Sequence, residues 1–337
     1  MAHGELSGDP FSKEVLRLRA EYEHRRVTTN LYPPAGRPFL ELDVHFSSEP
    51  SKSHMTYWFE DGTETGQCVR IFNVPGTLSG DILRITRNLP PLTGHAEIDG
   101  DEIRPLDNAY DLPEELEDDS ENAAELLATL PVVDVNPAKH FVKKAKYNSE
   151  IQNLLKCQGG SVDGHPRSPH VLRLLGRSSS GDLVFPKLTP SQHLLNSYSS
   201  LAIYKLWIGQ LVDALECLHA AGVVHRDLGV KNFVFDESSG TPSLVVCDLE
   251  GRWGNRDAPE VSFDGGVDDS GWSPASDIYD TGDCIKNMVY ANAPITHFVE
   301  WPVPEPLQTI VDACMQEKPE DRPTLAELRA MVEAIKV

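Results

Sequence analysis

Several residue patterns are scarce or missing in this chain, and the absences narrow the functions open to it. Basic residues are scarce: 30 Lys and Arg stand against 52 Asp and Glu, a formal net charge of -22. Binding along a phosphate backbone or docking on an anionic membrane depends on Lys and Arg, so no nucleic-acid and no membrane partner is expected. No apolar run approaches the ~18 residues of a membrane span. Met1-Ala2-His3-Gly4-Glu5 offers neither a basic start nor an apolar core. No signal peptide is therefore expected, and the location expected is cytoplasmic or nuclear. None of the six cysteines, at 68, 157, 217, 247, 284 and 314, forms a C-x-x-C pair. Cys217 and Cys314 fall in helical apolar patterns and Cys247 ends a strand-like run, so buried free thiols in a reducing compartment are expected. Internal repeats are absent as well.

What is present fills 337 residues, 40% of them hydrophobic, enough for one two-lobed domain or two small ones. Residues 1–36 read as an arm, with a short charged helix over Ser12 to Arg26 ended by Pro33-Pro34. A β-rich segment follows over 37–98. Leu40, Leu42, Val44 and Phe46 alternate with polar residues, as in a half-buried strand. Met55 to Glu60 and Cys68 to Val74 suggest two more strands, and Leu83 with Ile85 a fourth. Acidic residues crowd from Glu97 to Glu125, opposed by Arg104, so 99–130 reads as a solvated insert or linker.

Apolar character returns at Pro131-Val132-Val133. Strands are expected over His140 to Lys146, Val171 to Leu175 and Leu183 to Phe185, with a short helix over Ser149 to Cys157. Tyr204, Ile208, Leu211, Leu215 and Leu218 mark one face of a helix that Gly222 ends. Phe233-Val234-Phe235 and Leu244-Val245-Val246 flank a polar turn and predict a hairpin. That hairpin sets Asn232 and Asp248 at the same end, so both can face one point. Beyond it the pattern is helical, with a capping box at Thr324 and Glu327.

The run His225-Arg226-Asp227-Leu228-Gly229-Val230-Lys231-Asn232 fits the H-R-D-L-x-x-x-N catalytic loop, and Asp248 follows where a D-F-G acid belongs. Ala258-Pro259-Glu260, Asp277 to Gly282 and Arg322-Pro323 repeat further motifs in the same order. In these residues the chain resembles the eukaryotic protein kinases, and more closely the divergent kinase-like proteins common in fungi. The resemblance implies an α+β, two-lobed kinase-like fold, with a small β-rich lobe over 131–190, a mostly helical lobe over 191–337 and a β-rich N-terminal extension. It implies ATP and Mg²⁺ as cofactors, and a protein substrate or binding partner. It makes Asp227 the general base within a loop of His225, Arg226 and Lys231, and assigns Asn232 and Asp248 to the metal. Lys143 is the candidate for the phosphate-binding lysine, with Lys144 close behind. The two face opposite sides of a strand, so only one can enter the cleft. Glu150 is the expected partner. Asp277 should brace the catalytic loop, and Arg322 should pair with Glu260.

Several features depart from that pattern. No Gly-rich phosphate loop precedes Lys143. The D-F-G position reads Asp248-Leu249-Glu250-Gly251, where Glu250 could add a metal ligand or repel ATP. Gly229 stands where a lysine is usual, and Lys231 stands where tyrosine kinases carry an arginine. From Asp248 to Glu260 there is no Ser, Thr or Tyr, so activation by phosphorylation there is not expected. The small lobe also lacks two strands, which the strands between Leu40 and Ile98 could supply. Three functions are compatible with this set: a protein kinase acting on Ser or Thr, a pseudokinase that binds without turnover, and a small-molecule phosphotransferase of the aminoglycoside-kinase type. Ala258-Pro259-Glu260 and Arg322 count against the third.

Overall fold

The computed structural model describes residues 9–28, 39–45, 54–59, 67–72, 94–99, 102–106, 120–164, 167–251, 258–261, 271–291, 299 and 301–337. The chain divides into two compact units, one of Met1–Lys13, Asp118–Ala291 and Pro302–Val337, the other of Glu14–Glu117 and Asn292–Trp301. Mixed α and β structure in small sheets is compatible with a kinase-like fold. No helix among the described residues is long and apolar enough to cross a membrane.

The second unit carries a five-stranded sheet in the order β1 (Phe39–His45), β2 (His54–Phe59), β3 (Gln67–Phe72), β4 (Ala96–Asp99) and β5 (Glu102–Pro105). Its pairs are antiparallel except β3 with β4, which run parallel from Val69 opposite Ala96 to Phe72 opposite Asp99. Two expectations are corrected here. The acidic segment begins as strands, because Ala96 and Ile98 alternate with polar neighbours and bury their side chains. The strands of this sheet also pair with one another and, among the described residues, add nothing to the sheet that holds Lys143. The strand expected at Leu83 and Ile85 lies outside the described residues. Helix α1 (Pro10–Thr28) is longer than its sequence suggests.

In the first unit a short helix α2 (Ala124–Ala128) is followed by a sheet in the order β6 (His140–Lys143), β8 (Leu183–Pro186), β7 (Gly176–Arg177). Helix α3 (Asn148–Cys157) starts five residues after β6 ends. The Glu121 carboxylate accepts the Asn148 N–H at 2.9 Å, so the end of the acidic segment is tied to the start of α3. Val171 to Leu175 is not a strand. It makes one bridge, Val171 to Val246, and β7 begins after it.

A third sheet, β11-β10-β9, holds the expected hairpin of β10 (Phe233–Asp236) and β11 (Ser243–Val246), joined by β9 (Thr189–Pro190). Helix α4 (Leu201–Ala220) packs Trp207, Ile208, Leu211 and Leu215 fully inside. Its Ser200 cap accepts the Ile203 N–H, and Gly222, at φ 70°, takes the left-handed turn that ends it. Gln210 accepts the Leu244 N–H at 2.8 Å and Trp207 donates to Pro242 O at 2.9 Å, which fixes the hairpin against α4. Helices α5 (Pro274–Tyr290), α6 (Leu307–Cys314) and α7 (Leu325–Ala334) complete the unit. A capping box of Ser273 and Ser276, with Pro274 in the first turn, starts α5. The Thr324 and Glu327 box starts α7 as expected. All six cysteines are free thiols, five of them buried.

Candidate active site

Asp277 organises the loop that runs from His225 to Asn232. Its carboxylate is fully buried and accepts the backbone N–H of His225 at 2.9 Å and of Arg226 at 3.1 Å. His219 Nε2 lies 2.8 Å from the same carboxylate. Bonds to a buried anion are about twice as strong as neutral ones, so these fix the turn firmly. Arg226 is held there with left-handed backbone, φ 71°. His225 is buried, and its Nε2 lies 3.0 Å from Cys247 O. It ties the loop to the end of the hairpin.

Past that turn Asp227 is joined to its neighbours by side-chain bonds. Asn232 Nδ2 donates to Asp227 Oδ2 at 2.9 Å and to Asp227 O at 2.7 Å. Lys231 Nζ is 3.0 Å from Asp227 Oδ1. The short turn Val230–Asn232 makes this possible, and Ser191 Oγ secures it by donating to Val230 O at 2.6 Å.

Lys143 lies at the end of β6, the edge strand of its sheet. Its Nζ donates to Glu150 Oε1 at 2.8 Å and to Glu250 Oε1 at 2.9 Å, and also to Asp248 Oδ1. The short step from β6 to α3 lets Lys143 reach Glu150 across seven residues. Glu150 is 2% exposed. Burial pushes its carboxyl up to about 7, against the pull of Lys143. Burial acts to lower the pKa of Lys143, but Glu150 and Asp248 more than offset it, so the ammonium stays charged. Lys144 is exposed and is not among the residues that line the cavity beside Lys143.

That cavity has a volume of about 310 Å³. Lys143, Glu150, Asp248, Asn232 and Lys231 give it a polar side, and Phe141, Leu172 and Phe185 an apolar one. An apolar slot with a few convergent charges is the usual form of a small-ligand site. Asp248, like Arg226, has left-handed backbone, φ 65°. Strained non-glycine residues cluster at functional sites. Asn153 Nδ2 donates to the buried Leu249 O at 2.9 Å and so holds this turn from α3. The oxygen donors of Asp248 and Asn232 have the chemistry that Mg²⁺ prefers.

His219, Ser191 and Asn153 were not singled out from sequence. His219 sits in the last turn of α4, where a basic residue is unremarkable. Ser191 and Asn153 serve backbone carbonyls far away in sequence, and no local pattern marks such a role.

Farther along, Arg322 and Glu260 form the expected pair, with Nη1 to Oε1 at 2.6 Å and Nη2 to Oε2 at 2.7 Å.

No protein-family model matches the chain. Part of it is similar to serine/threonine-protein kinase ksp1 of Schizosaccharomyces pombe, 33% identical over 103 residues that make up 26% of this chain and 21% of that protein. Hormonally up-regulated neu tumor-associated kinase of Mus musculus is 30% identical over 118 residues, 33% of this chain and 15% of that one. Serine/threonine-protein kinase PkaA of Streptomyces coelicolor is 28% identical over 150 residues, 36% of this chain and 27% of that one. The chain spans about a quarter or less of the length of these curated relatives.

Proposed function

We propose that this relative of the protein kinase-like superfamily is a phosphotransferase that moves the γ-phosphoryl group of ATP to a Ser or Thr hydroxyl of a protein. The observation that carries the reading is one ammonium, Lys143, paired both with Glu150 on α3 and with Asp248, which is 105 residues away. In the same unit Asp227 is bonded to Asn232. The relatives' names support Ser or Thr as acceptor. In this reading 131–190 and 191–337 are the small and large lobes of a kinase domain, and the cavity beside Lys143 takes the nucleotide.

Asp227 is the base that accepts the hydroxyl proton. Its ties to Asn232 and Lys231 hold the carboxylate still, and positioned proton transfer of this kind contributes about 10²–10⁴-fold. Lys231 is placed to neutralise charge near that carboxylate. Asp248 and Asn232 would hold Mg²⁺, which would neutralise nucleotide phosphates. Lys143, fixed by Glu150, would bind those phosphates.

The test is transfer of labelled γ-phosphate with Mg²⁺ or Mn²⁺, comparing wild type with Asp227→Asn. Label transferred by wild type and lost in the variant, at an unchanged melting midpoint, supports the kinase. Transfer by the variant near the wild-type rate removes Asp227 from its role.

One observation favours a second reading, a pseudokinase that binds partners without turnover. All three donors of Lys143 are spent on carboxylates, so no phosphate contact is ready-made. No transfer by wild type above the Asp227→Asn background would select this reading.

A further inference from the structure

The group that departs most from the kinase pattern, Glu250, is bonded to the residue expected to meet phosphate. A lysine ammonium has three N–H donors. Here Glu150, Asp248 and Glu250 take one each, and even with Glu150 left uncounted the cluster carries one positive against two negative formal charges. An incoming polyphosphate therefore meets an occupied ammonium in a net negative field.

The three carboxylates are not equally free to yield. Glu150 is buried, and its second oxygen has no hydrogen-bond partner among the described residues, so loss of Lys143 would strand a carboxylate away from water. Asp248 is fixed by its own left-handed backbone, one residue from the buried Leu249 whose carbonyl Asn153 holds. Both acids of this turn reach solvent, with side chains 33% exposed for Asp248 and 21% for Glu250, but Glu250 has the longer side chain. It can swing away while the backbone beside it stays anchored. A divalent cation provides the reason to do so. Held by the Asp248 carboxylate, it would offset the excess negative charge of the cluster, so that phosphate oxygens can replace Glu250 on the ammonium.

We propose that Glu250 is a built-in competitor for phosphate at Lys143, displaced when a divalent cation binds, so that nucleotide and cation enter together. This rests on the nucleotide-binding reading and adds to it a named residue that couples the two ligands.

The experiment is a titration of the full chain with a fluorescent ATP analogue, in chelator and in excess Mg²⁺. Wild type, Glu250→Gln and Glu250→Gly are compared, with melting midpoints as the check on folding. Wild type should bind with Mg²⁺ and poorly in chelator. The variants should bind roughly tenfold tighter than wild type in chelator, the scale of one freed charge-assisted bond, and so depend less on Mg²⁺. Adding Lys143→Gln to Glu250→Gln should erase that gain, which a general loss of negative charge would leave in place. Folded variants that bind like wild type in both conditions overturn the gate and leave the nucleotide reading standing. Weaker binding by Glu250→Gln in Mg²⁺ makes Glu250 a cation ligand and overturns competition. No binding by any of the proteins in either condition removes the nucleotide reading, and the gate with it.

Discussion

Replacing Arg322 with Ala should cost a large part of the stability of the unit that contains it. The Arg322 side chain is 0% exposed, and each of its five N–H donors is used. Two go to the Glu260 carboxylate, and one each to the carbonyls of Ala275, Gln316 and Glu317. The guanidinium also lies 4.9 Å from the centre of the Tyr279 ring. Arg322→Ala strands the carboxylate and those carbonyls together. Removing one partner of a buried pair costs about 3–5 kcal/mol. Such a loss is a large fraction of a total stability of about 5–15 kcal/mol. With a urea dependence of about 1–3 kcal/mol per molar, the unfolding midpoint should fall by roughly 1–5 M. Arg322→Lys keeps the charge but not the planar fork, and should recover only part of the loss. In a double-mutant cycle, Glu260→Gln should couple to Arg322→Ala by about 1 kcal/mol or more. An unchanged midpoint for Arg322→Ala, or strict additivity in the cycle, would refute the reasoning. The pair also sets a pH dependence. Burial acts to raise the Glu260 carboxyl, but Arg322 outweighs it and holds the pKa below its ordinary 4.5. A depressed folded-state pKa gives stability that is present above the unfolded value and lost as pH falls through the folded one. The gap between wild type and Arg322→Ala should therefore narrow on acidification below 4.5 and stay constant above it.

Two other substitutions probe how the site is supported. Asp277→Ala leaves the His225 and Arg226 N–H groups without their acceptor, and should destabilise by about 2–4 kcal/mol while greatly accelerating hydrogen exchange at those amides. Exchange rates equal to wild type would mean that Asp277 does not hold the loop. Gly282→Ala would put a Cβ 2.5 Å from Met315 Cγ and 3.2 Å from Cys314 Cβ, where α5 meets the end of α6. Overpacking of this kind costs about 1–3 kcal/mol, more than the helix-propensity gain returns. A raised melting midpoint for this variant would contradict that contact.

Much of the region from Tyr204 to Asp248 was legible because its determinants are local. The spacing from His225 to Asn232 sets one loop, and the two apolar runs after it make a hairpin whose ends must lie together. The period of Tyr204 to Leu218, the Gly222 stop and the Thr324 box are likewise written in near neighbours. The acidic segment was read less well because charge density suggested solvation, whereas Ala96 and Ile98 make β4 on alternation alone. Val171 to Leu175 failed the opposite way: its apolar run is buried by packing and makes only one bridge to β11.

By itself, then, the sequence determined the order of the elements, the helix ends, the loop from His225 to Asn232 and the pair of Glu260 with Arg322. Tertiary structure decided which of Lys143 and Lys144 turns inward, since alternation offers both faces equally and only the position of α3 chooses. It decided that the strands over 39–105 form a sheet of their own, because strand partners are set by packing across long stretches of chain. It also brought Glu250 onto Lys143 from 107 residues away, a contact that no local pattern encodes.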